Sequence, residues 1–207
     1  MSYTLTLAGV AAANMLACLS PGPAFLLVSR AAAGRSRAVG LATGLGVALA
    51  ATIWAAAAAF GVAAIMTRFA TLYGMIQLAG AVYLIWLGLA AWLRPNGAEA
   101  SLPTPAPRRR HRAVLTGLSL GLTNPKIVVF YSSIFVALIP VHAPLLLRAA
   151  ALAVVAADEV FWAVLVACAF STPRVQAGYR RVGQSIERVA GAVFIAFGAR
   201  IAALARL

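Results

Sequence analysis

Residues 1–29, 38–67 and 69–93 each run without a single charged side chain. About 20 helical residues cross ~30 Å of hydrocarbon, so each stretch is long enough to span a bilayer. After a polar segment at 94–112 that holds Pro95, Pro103, Pro105 and Pro107, apolar sequence resumes at 113–140, 149–172 and about 183–205. Six spans follow. The apolar residues come in continuous blocks rather than in alternation, which argues against a β-barrel. With 63% hydrophobic and 10% charged residues, the chain is too apolar for a soluble domain or for disorder. The expectation is an all-α polytopic membrane protein. The first span lacks the basic leader of a signal peptide and is interrupted by Ser20-Pro21-Gly22-Pro23, so it reads as a retained helix.

The formal net charge of +13 is explained by topology. Arg30, Arg35 and Arg37 lie in loop 1, Arg94, Arg108, Arg109, Arg110 and Arg112 in loop 3, and Arg174, Arg180 and Arg181 in loop 5, with Arg188 at its edge. The other side has Arg68, Arg148, Arg200 and Arg206. Cytoplasmic loops collect arginine, which puts loops 1, 3 and 5 inside and both termini outside. A basic cluster flanking a membrane is the reading of Arg108–Arg112, and no nucleic-acid partner is expected. Cys18 and Cys168 fall inside spans and form no C-x-x-C, so both read as small buried apolar residues.

The chain also resembles itself. Leu78-Ala79-Gly80-Ala81-Val82-Tyr83 with Leu87-Gly88 in span 3 matches Val189-Ala190-Gly191-Ala192-Val193-Phe194 with Phe197-Gly198 in span 6. Trp54 in span 2 corresponds to Trp162 in span 5, and Ser20-Pro21 in span 1 to Asn124-Pro125 in span 4. Three correspondences in one order divide the chain into a three-helix repeat at 1–93, a basic, Pro-rich cytoplasmic linker at 94–112 and a second repeat at 113–207. Three is odd, so the two repeats are inverted relative to each other, an architecture common in secondary transporters.

A hydroxyl or amide followed by proline starts a helix, and Ser20-Pro21 and Asn124-Pro125 place such starts inside apolar sequence. Backbone broken there is tolerated where it lines a cavity or is buried in protein. Two half-helix N-termini present positive dipole ends to an anionic group, with a substrate carboxylate as the natural candidate. Kinks that serve only packing are the alternative. Lys126, the only lysine beside 16 arginines, lies near the middle of span 4. An ammonium there costs ~2.5–3.5 kcal/mol on insertion scales and must face a cavity or a partner. Asp158 and Glu159 are the acids inside the apolar spans, while Glu99 and Glu187 lie in or beside loops. Adjacent residues point ~100° apart on a helix, so one of the two acids at most faces a cavity squarely. Such a carboxylate binds an ammonium, carries a proton or pairs with Lys126 across two helices.

The small-residue spacings Gly40-x3-Gly44, Gly117-x3-Gly121 and Gly34/Gly46/Gly61 read as close helix packing. There is no phosphate-binding loop, nucleophile elbow, catalytic triad or metal-ligand cluster, and His111 and His142 have no metal partner at useful spacing. Neither an enzyme nor a cofactor is expected.

Leu19-Ser20-Pro21-Gly22-Pro23, followed by Arg30-x3-Gly34-Arg35-x4-Gly40, resembles the first signature of the LysE/RhtB amino-acid exporters. Leu122-Thr123-Asn124-Pro125-Lys126 resembles the second, and the glycine motifs of spans 3 and 6 resemble the ends of that family's two halves. The resemblance implies proton-motive-force-linked efflux of an amino acid or a derivative across the bacterial inner membrane. On that reading Ser20, Pro21, Gly22, Pro23, Asn124, Pro125 and Lys126 hold the substrate, and Asp158 or Glu159 takes its ammonium or the coupling proton. The family often carries an acid shortly before the span-2 tryptophan, where this chain reads Ala50-Ala51-Thr52-Ile53-Trp54. Export of another small solute or ion fits the same fold. A thiol-electron carrier of similar architecture would need a cysteine in span 4 to partner Cys18. The expected partners are the amino acid, protons and the lipid bilayer, with the oligomeric state, homo-oligomer included, left open.

Overall fold

Every expected span becomes helix in the computed structural model, which describes residues 2–19, 22–68, 70–93, 109–140 and 142–204, apart from the side chains of residues 19, 62–73, 76–77, 180 and 204. The order is α1 (Tyr3–Leu19), α2 (Pro23–Gly34), α3 (Arg37–Arg68), α4 (Ala70–Leu93), α5 (Arg110–Thr123), α6 (Pro125–Leu138), α7 (Leu145–Ala169) and α8 (Pro173–Leu204). No strand occurs among the described residues. Most of the 94–112 linker lies outside them, as do Ser20 and Pro21.

Both expected breaks are present. The axes of α1 and α2 meet at 61°, and those of α5 and α6 also at 61°. At the second break Asn124 caps α6, its side chain accepting from the Lys126 backbone N–H with Pro125 in the first turn, as the sequence predicts. At the first break the helix starts later than expected. Its N-cap is Gly22 and its first-turn proline is Pro23, so the Ser20-Pro21 pair is not the helix start. With prolines at both 21 and 23, local chemistry allowed two start positions, and glycine serves as an N-cap without offering a side-chain bond.

Length and apolarity qualify α3 over Arg37–Gly61 and α7 over Leu145–Ala169 as crossings by themselves, and each bent pair qualifies when taken as one span. In α4 the apolar described stretch is Leu78–Leu93, and α8 carries Arg174, Arg181, Glu187 and Arg188 in its first half. The outward faces are apolar. Leu45, Leu49, Ile53 and Phe60 on α3, and Val160, Phe161, Val164 and Leu165 on α7, are exposed. Helices that are apolar on both inner and outer faces belong in lipid. Hydroxyls within these helices are spent on the preceding turn: Thr43 donates to the Val39 carbonyl at 2.9 Å and Thr52 to the Ala48 carbonyl at 2.8 Å, the satisfaction that a lipid environment demands.

Helix α3 lies at the centre, packed on α2, α5, α6 and α7. Glycine sets its closest approaches. A Cβ added to Gly40 would sit 2.6 Å from that of Ala32, one on Gly44 2.7 Å from that of Ala163, and one on Gly121 2.5 Å from that of Ala50. Gly46 and Gly117 face the backbones of Val114 and Thr43 directly across the α3–α5 seam. Gly34 and Gly61 have nothing within 4 Å, so their spacing was not a packing signal. Helix α3 also lies on the broken pair α5–α6, and α7 lies on the broken pair α1–α2. In the α4–α8 pair, Gly191 meets the Gly88 carbonyl and Gly198 meets that of Ala81, both 2.7 Å from an added Cβ. The residue numbers rise along one helix as they fall along the other, so α4 and α8 run antiparallel. At the α3–α5 seam Gly117 faces Thr43 and Gly121 faces Ala50, so α3 and α5 run parallel.

Candidate functional site

The two breaks meet at a cavity. Asn14, Ala17 and Cys18 of α1, Gly22, Ala24 and Phe25 at the start of α2, Val47 of α3, Asn124, Lys126, Ile127, Phe130 and Tyr131 around the start of α6, and Glu159 and Trp162 of α7 line it. Its volume is about 50 Å³. The start of α6 is capped by Asn124 Oδ1, 3.0 Å from the Lys126 N–H. The start of α2 has no side-chain cap, so its first turn points positive partial charge at the same space.

Lys126 reaches across from α6. Its Nζ lies 3.5 Å from the Ala17 carbonyl, in the last turn of α1, where helix carbonyls lack intrahelical partners and a cation is favoured. It also lies 5.4 Å from the centre of the Phe194 ring, a cation–π distance. A second cavity, of about 220 Å³, shares Gly22, Asn124 and Lys126 and adds Pro23, Pro125, Tyr83, Trp86 and Glu187. Lys126 therefore stands in the wall between a cavity that holds Glu159 and one that holds Glu187.

Asp158 and Glu159 separate as the helix geometry requires. Glu159 is buried and lines the first cavity, while Asp158 is half-buried and does not. The structure attaches a polar chain to them. Tyr131 Oη lies 2.8 Å from Glu159 Oε1 and 2.8 Å from Asn14 Oδ1. Asn14 Nδ2 lies 3.4 Å from Asp158 Oδ2, and the Cys18 thiol donates to Glu159 Oε1 at 3.2 Å. Cys18 is thus a hydrogen-bonding wall residue and not the apolar filler expected of it. Asn14 and Tyr131 were missed by the sequence reading, although a polar side chain inside an apolar span is itself a signal. Glu187 was assigned to a loop edge because arginines surround it.

The paired tryptophans behave differently. Trp54 donates from Nε1 to the Leu122 carbonyl at 3.3 Å, satisfying the end of α5. Its counterpart Trp162 is buried in the cavity wall, and its Nε1–H finds no acceptor among the described residues. An indole N–H buried in this way offers a donor to whatever fills the cavity. Of the site residues expected from sequence, Gly22, Asn124, Lys126 and Glu159 line the first cavity, Pro23 and Pro125 the second, Asp158 neither, and Ser20 and Pro21 lie outside the described residues. No group of three metal-binding side chains occurs among the described residues.

The LysE type translocator family matches residues 15–204. The chain belongs to that family. It is a membrane transport protein, not an enzyme. The threonine efflux protein of Salmonella typhi is 32% identical over 192 residues, which cover 91% of this chain and 93% of the relative. That of Escherichia coli strain K12 is 31% identical over the same shares. The leucine efflux protein of Enterobacter sp. strain 638 is 29% identical over 195 residues, 90% of each chain. These relatives and the apolar helices mark a bacterial membrane protein. No solved structure matches the chain.

Proposed function

We propose that this protein is a secondary transporter that exports an amino acid or a close derivative across the bacterial inner membrane, driven by the proton motive force. The observation that carries the reading is the cavity where two helix breaks meet, with a cation, Lys126, and a carboxylate, Glu159, both in its lining. A zwitterion needs that complement. Its carboxylate would take Lys126, the uncapped first turn at Gly22 and the unspent indole N–H of Trp162. Its ammonium, or the coupling proton, would take Glu159 or Asp158. Pro23 and Pro125, with Glu187, would line the approach from the second cavity. Relatives named for threonine and leucine efflux support the substrate class.

Six crossings as two inverted three-helix repeats, residues 1–93 and 113–207 joined by the 94–112 linker, fit the packing. Parallel α3 and α5 require the chain to return to its starting side between them, which is the work of α4. Antiparallel α4 and α8 suit spans 3 and 6 of an alternating set. The arginine distribution orients loops 1, 3 and 5 to the cytoplasm, with both termini outside.

Efflux from cells loaded with labelled threonine and leucine tests the reading, with Lys126→Ala, Asp158→Asn and Glu159→Gln measured beside wild type. Loss of export in Lys126→Ala and Glu159→Gln at normal membrane abundance is expected. Normal export by both would remove the site assignment, and no export of any amino acid by wild type would remove the function.

A further inference from the structure

We infer that Asp158 and Glu159 hold a single shared proton, and that Tyr131 and Asn14 are positioning residues that decide which of the two carries it. Tyr131 Oη makes two contacts of 2.8 Å, to Glu159 Oε1 and to Asn14 Oδ1. A phenol has one hydrogen, so the second contact needs a hydrogen from its partner. The amide oxygen of Asn14 has none to give.

Two arrangements satisfy every contact. In the first, Asn14 Nδ2 donates to the Asp158 carboxylate, the Tyr131 hydroxyl donates to Asn14 Oδ1, and a protonated Glu159 donates to Tyr131 Oη. In the second the Asn14 amide is rotated by half a turn. A protonated Asp158 then donates to Asn14 Oδ1, Asn14 Nδ2 donates to Tyr131 Oη, and the Tyr131 hydroxyl donates to the Glu159 carboxylate, which the Cys18 thiol also serves. Oxygen and nitrogen of an amide exchange places at little steric expense, which makes both arrangements accessible to one backbone. Each contains one carboxyl proton and one carboxylate. With both acids ionised, two acceptors face each other, across 2.8 Å at Tyr131 or, with the amide turned, across 3.4 Å between Asn14 Oδ1 and Asp158 Oδ2. With both protonated, one donor is left without an acceptor in the chain.

The surroundings give the two ends different access. Tyr131, Asn14 and Glu159 are buried, at 2%, 1% and 6% exposure, while Asp158 is half-buried. The other charged group on the first cavity is Lys126, and the other ionisable one is the Cys18 thiol. Passing from the first arrangement to the second releases a proton from Glu159 into the cavity and takes one up at Asp158 from outside it. The pair's net charge is unchanged. On the exporter reading, on which the role as coupling device rests, this places the exchanging proton beside the substrate.

Infrared difference spectroscopy of the purified protein in lipid vesicles reads protonated carboxyl groups through their C=O band and needs no transported substrate. Wild type at neutral pH is expected to show one such group assignable to this pair. Either Glu159→Gln or Asp158→Asn alone should abolish it, because an amide at either end supplies the missing hydrogen. Tyr131→Phe cuts the chain, and Asp158→Asn added to it should leave whatever band Tyr131→Phe shows. Two results would overturn the inference: no protonated carboxyl in wild type that Glu159→Gln or Asp158→Asn removes, or a Glu159 band that survives Asp158→Asn with Tyr131 in place. If efflux fails while this pattern holds, the exporter reading falls and the shared proton stands. Efflux without the pattern leaves an exporter coupled elsewhere.

Discussion

Alanine replacing glycine should have opposite effects at two positions of α8. At Gly178 an added Cβ meets nothing within 4 Å, so the substitution brings only the helix-propensity gain of about 0.8–1 kcal/mol. At Gly191 the same Cβ would lie 2.7 Å from the Gly88 carbonyl oxygen, 2.9 Å from Trp92 Cδ1 and 3.0 Å from Ala91 Cβ. The carbonyl and the Ala91 methyl cannot rotate away, so α4 and α8 must move apart by roughly half an ångström or more to restore ordinary contact. Overpacking of this kind costs about 1–3 kcal/mol. The propensity gain is common to both substitutions, so the gap between the two variants measures the clash itself. At roughly 2–4 °C per kcal/mol for a chain of this length, Gly178→Ala should melt slightly above wild type and Gly191→Ala at least a few degrees below Gly178→Ala. Thermal unfolding in one detergent, followed by tryptophan fluorescence, reads the difference. Equal melting temperatures for the two variants would refute the close α4–α8 seam and, with it, the antiparallel pairing used to order the spans.

The two tryptophans should separate stability from binding. Trp54→Phe leaves the Leu122 carbonyl without its donor and should lower stability by about 1–3 kcal/mol in the same melting assay. Trp162→Phe removes an N–H that has no acceptor among the described residues, so its polar loss should appear instead as weaker amino-acid binding in a vesicle binding assay. Asn124→Ala removes the cap on the Lys126 N–H and should destabilise by about 1 kcal/mol. Asn124→Asp, which keeps the capping oxygen, should recover that stability.

Local patterns carried much of this organisation. Charge-free blocks marked the helices, and the Asn124-Pro125 pair marked the start of α6 to the residue, because a cap and a first-turn proline act on their own neighbours. The start of α2 was misplaced from Gly22 to Ser20, since two Pro-containing starts lie two residues apart and nothing local chooses between them. The site itself was half legible. Lys126 and Glu159 stood out as charges in apolar sequence, yet which acid turns inward depends on how α7 is rotated against α1 and α6. Tyr131 meets Asn14 across 117 positions and Asn14 meets Asp158 across 144. Contacts at that separation are products of packing, and no periodicity announces them. The same holds for Cys18, which composition alone makes a small apolar residue, and for Glu187, which the fold carries to a cavity wall.

The central claim is that one cavity reads both charges of an amino acid, with Lys126 meeting the carboxylate. Binding of L-threonine and of its methyl ester to protein in lipid vesicles, compared between wild type and Lys126→Met, tests it most directly. A charge-assisted hydrogen bond contributes about 1.5–3 kcal/mol, or roughly 10- to 150-fold in affinity. Wild type should prefer the free acid by a factor in that range, and Lys126→Met should lose most of the preference. A preference for the free acid that survives in Lys126→Met at full strength would place the substrate carboxylate elsewhere and contradict the account.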